Sequence, residues 1–174
     1  MNIFYLHSDP VKAAQIQYNK HVVKMILESA QMLCTAHHVY GNAEQKLNVP
    51  YKQAHLNHPS TIWTRQCRAN YRWLYLHMLA LGNEYTERYG KTHLTIHKCA
   101  EFLNVPPAHI PNGDFCEPPQ AMPDEYKVPG DSIKAYWNYY IGDKSHIANP
   151  NKEKIYENNS IIFAGNSNSV PSGT

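Results

Sequence analysis

Seven of the chain's twelve prolines fall between residues 104 and 130: Pro106, Pro107, Pro111, Pro118, Pro119, Pro123 and Pro129. Proline removes a backbone donor and its ring collides with the preceding helical turn, so no regular helix survives that density. The segment is therefore a long loop. A loop of this length inside a small domain is either functional or a structural belt over its neighbours. As a functional loop, the stretch from Pro118 to Tyr126 would close over a ligand and offer Gln120 and Tyr126 to it.

Helical signals occupy the rest. Residues 2–6 read as a short extended entry, and Ser8 or Asp9 caps a helix with Pro10 as its first residue. A second helix over 19–38 repeats apolar residues at helical spacing: Val22, Met25, Ile26, Ala30, Leu33 and Cys34. Gly41 and Pro50 bracket a polar loop. Pro59-Ser60 opens the longest stretch, which ends near Gly90 and at about thirty residues predicts one internal break. Thr92 caps a short helix over 93–103, and Asp131-Ser132 cap an aromatic one over 133–141. The expected architecture is mostly α: a single compact helical domain over 1–148, helix packed on helix, with the long Pro-rich loop. Residues 149–174, rich in Asn, Ser, Gly and Lys, read as a flexible polar tail.

Length and composition agree with one globular domain: 174 residues, 43% of them hydrophobic. Mean hydropathy is −0.56 and no apolar run approaches membrane-spanning length, which excludes a helical membrane protein. Met1 to Leu6 lack the basic start and apolar stretch of a signal peptide. Cys34, Cys67, Cys99 and Cys116 are far apart, with no CxxC pair. That pattern speaks against a disulfide framework or zinc ribbon and predicts reduced thiols in a cytoplasm, without metal or cofactor. Sixteen basic residues against fourteen acidic give +2, too little to announce a nucleic-acid binder by charge. Thirteen Tyr, eleven His and three Trp suit stacked bases or nucleotides, and equally a Tyr-rich core under a polar surface.

Four groups of side chains have the chemistry for a site. His21, Lys24 and Glu28 share one face of the second helix, where a carboxylate beside a cation serves as a base or supports a developing positive charge. An ordinary ion-paired face explains the same spacing. His55 and His58 precede the long helix, suited to a phosphate when protonated; a lone HxxH with no carboxylate nearby is a weak metal pattern. Arg65, Arg68 and Arg72, flanked by Asn70 and Trp73, form a basic stripe for phosphates or a solvated face. Tyr136, Trp137, Tyr139 and Tyr140 surround the last helix, so they cannot all enter one core, and some are left to stack on a base.

Taken in order, these pieces resemble the pyrimidine dimer DNA glycosylase family, the phage-type endonuclease V. The opening Met1-Asn2-Ile3-Phe4-Tyr5-Leu6-His7 looks like bacterial members. His21-Val22-Val23-Lys24-Met25-Ile26-Leu27-Glu28 resembles the helix bearing the family's catalytic glutamate. Residues 70–91 resemble its central helix, and residues 136–144 its aromatic segment against DNA. The likeness covers roughly half the chain, in scattered pieces whose order is right; the chain also resembles proteins common in phage genomes. By this resemblance the fold is endonuclease V-like and the nucleophile is an N-terminal α-amine. That amine attacks the sugar C1′, forms a Schiff base and cleaves by β-elimination, with the glutamate supporting the cationic intermediate. Carried over by position, the amine is that of Met1, kept because Asn2 is bulky, and the carboxylate is Glu28. An α-amine titrates near 7.7–8.0 in model peptides, so part of it is neutral at physiological pH. Where the family helix carries phosphate-gripping arginines, this chain has Leu27 and Gln31.

Two functions follow as expectations. The first is a DNA glycosylase or lyase for damaged or modified bases, working through Met1 and Glu28 in the cytoplasm of a bacterial host. The second is a non-catalytic phage protein that sequesters a nucleotide-derived immune signal of the host, a counter-defence role. Its ligand contacts would be drawn from His21, Lys24, His55, His58, Arg65, Arg72, Trp73, Gln120, Tyr126, Tyr136 and Tyr139. DNA or a nucleotide-like small molecule is the partner, and a membrane is not.

Overall fold

Asp9 starts the first helix by accepting hydrogen bonds from the Val11 and Lys12 amides through its carboxylate, with Pro10 at the first helical position. The computed structural model describes residues 1–147, and the polar segment over 149–174 lies outside them. Seven α-helices follow in order: α1 (Pro10–Ile16), α2 (Asn19–Tyr40), α3 (Ala43–Asn48), α4 (Pro59–Gln66), α5 (Arg68–Tyr89), α6 (Leu94–Leu103) and α7 (Ser132–Tyr139). There is no strand among the described residues.

The helical reading holds, including the single break expected in the long stretch, with three local corrections. The loop expected between Gly41 and Pro50 contains α3, because Asn42 and Gln45 form a reciprocal capping box. The break in the long stretch falls at Cys67, whose extended backbone separates α4 from α5. The cap of α6 is the imidazole of His93, which accepts from the Thr95 amide, rather than Thr92. Finally, α7 stops at Tyr139, and the chain continues as a π-helical turn over Tyr140–Lys144. There Gly142 lies against the Tyr126 ring: a Cβ at that glycine would sit 2.6 Å from the ring carbon Cε1.

Helix α2 is central and packs on α4, α5 and α6, while α5 also carries α1. The extended residues Ile3, Phe4, Tyr5 and Leu6 are all buried, touching α2 through Phe4 on His21, α5 through Tyr5 on Trp73, and α7 through the Trp137 indole, which donates to the Leu6 carbonyl. Phe4 has φ +54°, a left-handed conformation that costs a non-glycine residue about 1–3 kcal/mol. The buried contacts on both sides hold it there.

The Pro-rich segment is a belt. Its carbonyls are taken up by side chains of the helices beneath: Trp63 donates to Cys116, Ser132 to Pro118 and Tyr136 to Pro119. Asn70 accepts from the Cys116 amide, and the Arg68 amide donates to Pro111. Side-chain partners replace the ladder that proline forbids, which is how a loop this irregular stays ordered.

One buried ion pair closes the α1–α2 corner. Arg88, its side chain 3% exposed, donates to Glu84 and also to the Gln15 and Gln17 carbonyls and the Asn19 side chain. Arg88→Ala is expected to destabilise by about 3–5 kcal/mol, since it breaks a buried ion pair and removes the donor to the Gln15 and Gln17 carbonyls. Chemical denaturation of the variant measures this; a loss under 1 kcal/mol contradicts the clamp.

Candidate functional site

The first residue is anchored by its side chain and open at its backbone. The Met1 side chain is 1% exposed and packs against the core, yet the residue as a whole is only partly buried. Its exposed surface is therefore main chain. The α-amine nitrogen lies 3.8 Å from Oε2 of Glu28. The same oxygen accepts the Asn2 amide N–H at 2.9 Å, a charge-assisted hydrogen bond. The other oxygen, Oε1, lies 3.5 Å from the ammonium of Lys24, one helical turn earlier on α2. Glu28 keeps 12% of its side chain exposed, and Lys24 keeps 68%. The amine and carboxylate that the resemblance pairs lie within ion-pair distance, and the Asn2 amide binds the same carboxylate oxygen.

The turn over 55–58 lies in the electrostatic neighbourhood of this pair. It is closed by the His58 amide donating to the His55 carbonyl. Arg65 of α4 holds the turn from below through a 2.9 Å bond to the Leu56 carbonyl. His58 caps α4: its Nδ1 accepts from the Ser60 amide, which leaves the ring proton on Nε2 in the neutral form. Burial, the Met1 ammonium and His55 hold the His58 ring below its ordinary pKa, while Glu28 opposes them. His55 is exposed, with φ +47°.

Further along α2, His21 is 7% exposed and stacked 4.2 Å over Phe4. The Tyr140 hydroxyl accepts from the Tyr18 amide and shares a 2.9 Å hydrogen bond with Nδ1 of His21. Burial, followed by the Lys144 and Lys24 charges, pushes His21 down to about 4. It is thus neutral at physiological pH. Tyr139 lies 6.2 Å from Phe4 and 5.4 Å from Tyr126, with the Lys144 ammonium 5.0 Å over its ring.

Among the residues proposed from sequence, the structure brings Met1, Lys24 and Glu28 together, with His58 and His55 beside them. Tyr126 and Tyr139 form a partly exposed aromatic edge near His21. Four others serve the scaffold. Trp73 is 8% exposed, its indole donating to Ser8 and its ring stacked on His77. Tyr136 is fully buried, its hydroxyl bound to Pro119. Arg72 reaches Asn104 and the Tyr75 ring, so the arginine stripe does not converge on a single ligand. Gln120 bonds Val128 through both ends of its amide and so pins the belt to itself rather than offering that amide to a ligand. Gln120→Ala is accordingly expected to lower stability by about 1–3 kcal/mol by leaving the Val128 groups unpartnered, with thermal unfolding as the check. An unchanged melting temperature together with lost DNA binding would restore Gln120 as a contact residue.

The chain matches no protein-family model, no curated protein and no solved structure. Among the described residues no group of three or more His, Cys, Asp or Glu is placed to hold a metal ion. No helix among them is long and apolar enough to cross a membrane. A shallow groove of about 400 Å³ lies elsewhere, between α3 and α6, lined by Asn42, Glu44, Phe102 and Val105 among others. It contains none of the residues singled out from sequence.

Two contributors escaped the sequence reading. Asn2 bonds Glu28 through its backbone and the belt through its side chain, and Lys144 reaches the aromatic edge. The tendency of asparagine to bond its own following amides was a usable signal for the first; nothing local marked the second.

Proposed function

We propose that the protein is a Schiff-base DNA glycosylase/lyase acting on damaged or modified bases. The observation that carries this reading is the Met1 amine 3.8 Å from Oε2 of Glu28, on a residue whose side chain is buried. The neutral amine attacks C1′, a C–N bond forms and the glycosidic bond breaks, the base leaving with its electron pair. Nitrogen then loses a proton as the sugar ring opens to the iminium. Removal of a C2′ proton expels the 3′ phosphate, and water hydrolyses the remaining imine to free the enzyme. Glu28 accepts protons from the amine and stabilises the cationic iminium. Lys24, exposed beside it, offers a positive charge to a strand phosphate.

The sequestration reading drew on Arg65, Arg72 and Trp73 around one nucleotide. Those side chains are engaged with Leu56, Asn104 and Ser8 respectively, which favours the enzyme over the binder. The test is reduction by borohydride in the presence of DNA carrying an abasic site or a pyrimidine dimer. A covalent protein–DNA adduct is expected, and acetylating the α-amine should abolish it. Absence of any adduct, with an intact nucleotide recovered from the denatured protein, would establish the binder instead.

A further inference from the structure

Asn2 makes four hydrogen bonds with its backbone amide and side chain, and each bears on where the first amine sits. Its amide N–H holds Glu28 Oε2 at 2.9 Å. Its side-chain oxygen accepts from the Ile3 amide at 2.7 Å and the Phe4 amide at 3.2 Å, closing a local turn that ends on the left-handed Phe4. Its side-chain nitrogen donates to the Ala121 carbonyl of the Pro-rich belt at 2.9 Å, linking residues far apart in the chain. The belt is itself fastened on either side of that carbonyl by Tyr136 at Pro119 and by Gln120 at Val128. A chain end is ordinarily the part of a domain that frays. Here its second residue is tied to α2 on one side and to a rigid loop on the other.

We infer that Asn2 is a positioning residue that fixes the Met1 amine against Glu28, and that the Pro-rich belt acts as the external splint for that arrangement rather than as a lid over the ligand. This inference rests on the lyase reading above. Asn2 does no chemistry itself; it keeps the nucleophile and its carboxylate in one geometry, so that forming the iminium requires no prior ordering of the chain end. The Glu28 bond is made by the backbone, so side-chain substitution acts on it only through the turn and the belt. The two side-chain functions separate by substitution. Asn2→Asp keeps an acceptor for the Ile3 and Phe4 amides and loses the donor to Ala121. Asn2→Gln keeps the amide but displaces it by one methylene, disturbing both. Each leaves a bulky second residue, so Met1 is retained.

The experiment measures single-turnover borohydride trapping on abasic-site DNA for the wild type, Asn2→Asp and Asn2→Gln, alongside DNA affinity and melting temperature. Trapping is expected to slow at least tenfold in Asn2→Gln and less in Asn2→Asp, with DNA affinity and melting temperature close to wild type. Wild-type trapping rates in Asn2→Gln would overturn the inference and leave the lyase reading standing. Losses that merely track the folded fraction would overturn the positioning role in the same way. No adduct with the wild type would overturn the lyase reading and the inference together.

Discussion

Acidification from pH 6.5 to pH 4 is expected to unfold the protein cooperatively, because three buried histidines are held neutral. His77 is fully buried, its Nδ1–H donating to the Pro10 carbonyl and its Nε2 accepting from Gln17. His37 is also fully buried; the Tyr71 hydroxyl spends its proton on Leu103, so it accepts the His37 Nε2–H. His21 shares a hydrogen bond with the Tyr140 hydroxyl. Burial is the leading cause in all three, and each is pushed from 6.5 to about 4. The Lys144 and Lys24 charges add to it at His21 and His38 adds at His37, while the Pro10 and Ile3 carbonyls oppose it at His77. The unfolded chain takes up these protons near pH 6.5, the folded chain only near 4. Their stabilisation is therefore complete above about 6.5 and is lost progressively as the pH falls towards 4. At 1.36 kcal/mol per unit, each shift amounts to about 3 kcal/mol, and together they rival the whole stability of an ordinary domain. Circular dichroism against pH checks this. A fold intact at pH 4, or an acid midpoint unmoved in His77→Gln, contradicts it.

Glu28→Gln should reduce turnover by about 100- to 10,000-fold, the range for losing a positioned base together with its electrostatic support. Glutamine keeps an oxygen for the Asn2 amide but neither accepts a proton nor carries the charge that steadies an iminium. Folding should change little. The Lys24 contact is a largely exposed ion pair, worth about 0–1 kcal/mol, and the 3.8 Å approach of the Met1 ammonium is longer than a hydrogen bond. DNA affinity should stay near wild type, because the contribution of Glu28 is confined to the cationic stages. Single-turnover cleavage of abasic-site DNA, read beside binding and denaturation curves, separates these quantities. Wild-type turnover in Glu28→Gln would remove the carboxylate from the mechanism.

The fold was legible where local rules act alone. Proline density excluded α-helix from the belt, which keeps only a 3-10 turn over Asp124–Tyr126; Pro10 and Asp9 marked the start of α1, and apolar periodicity located α2. The π-helical turn after Tyr139 was not legible, since it depends on how Gly142 packs against Tyr126, a contact made only in three dimensions. The same divide runs through the site. Lys24 and Glu28 share a face by helical spacing, so their pairing could be read directly. Trp73 and Tyr136 looked like stacking platforms because a sequence cannot tell an aromatic that faces a ligand from one that faces the core; their polar atoms in fact satisfy the Ser8 and Pro119 carbonyls. Met1 meeting Glu28 followed only from the resemblance, because the contact joins the first residue to the third turn of α2 and is completed by a bond from Asn2.

The central claim is that the nucleophile is the Met1 amine, and identifying the attachment point in the borohydride-reduced adduct tests it most directly. Digestion of the trapped complex with nuclease and protease, followed by mass spectrometry, should find the sugar remnant on the α-nitrogen of the N-terminal peptide and nowhere else. A remnant on the ammonium of Lys24, which lies 3.5 Å from the same carboxylate, would contradict the account and make that lysine the nucleophile.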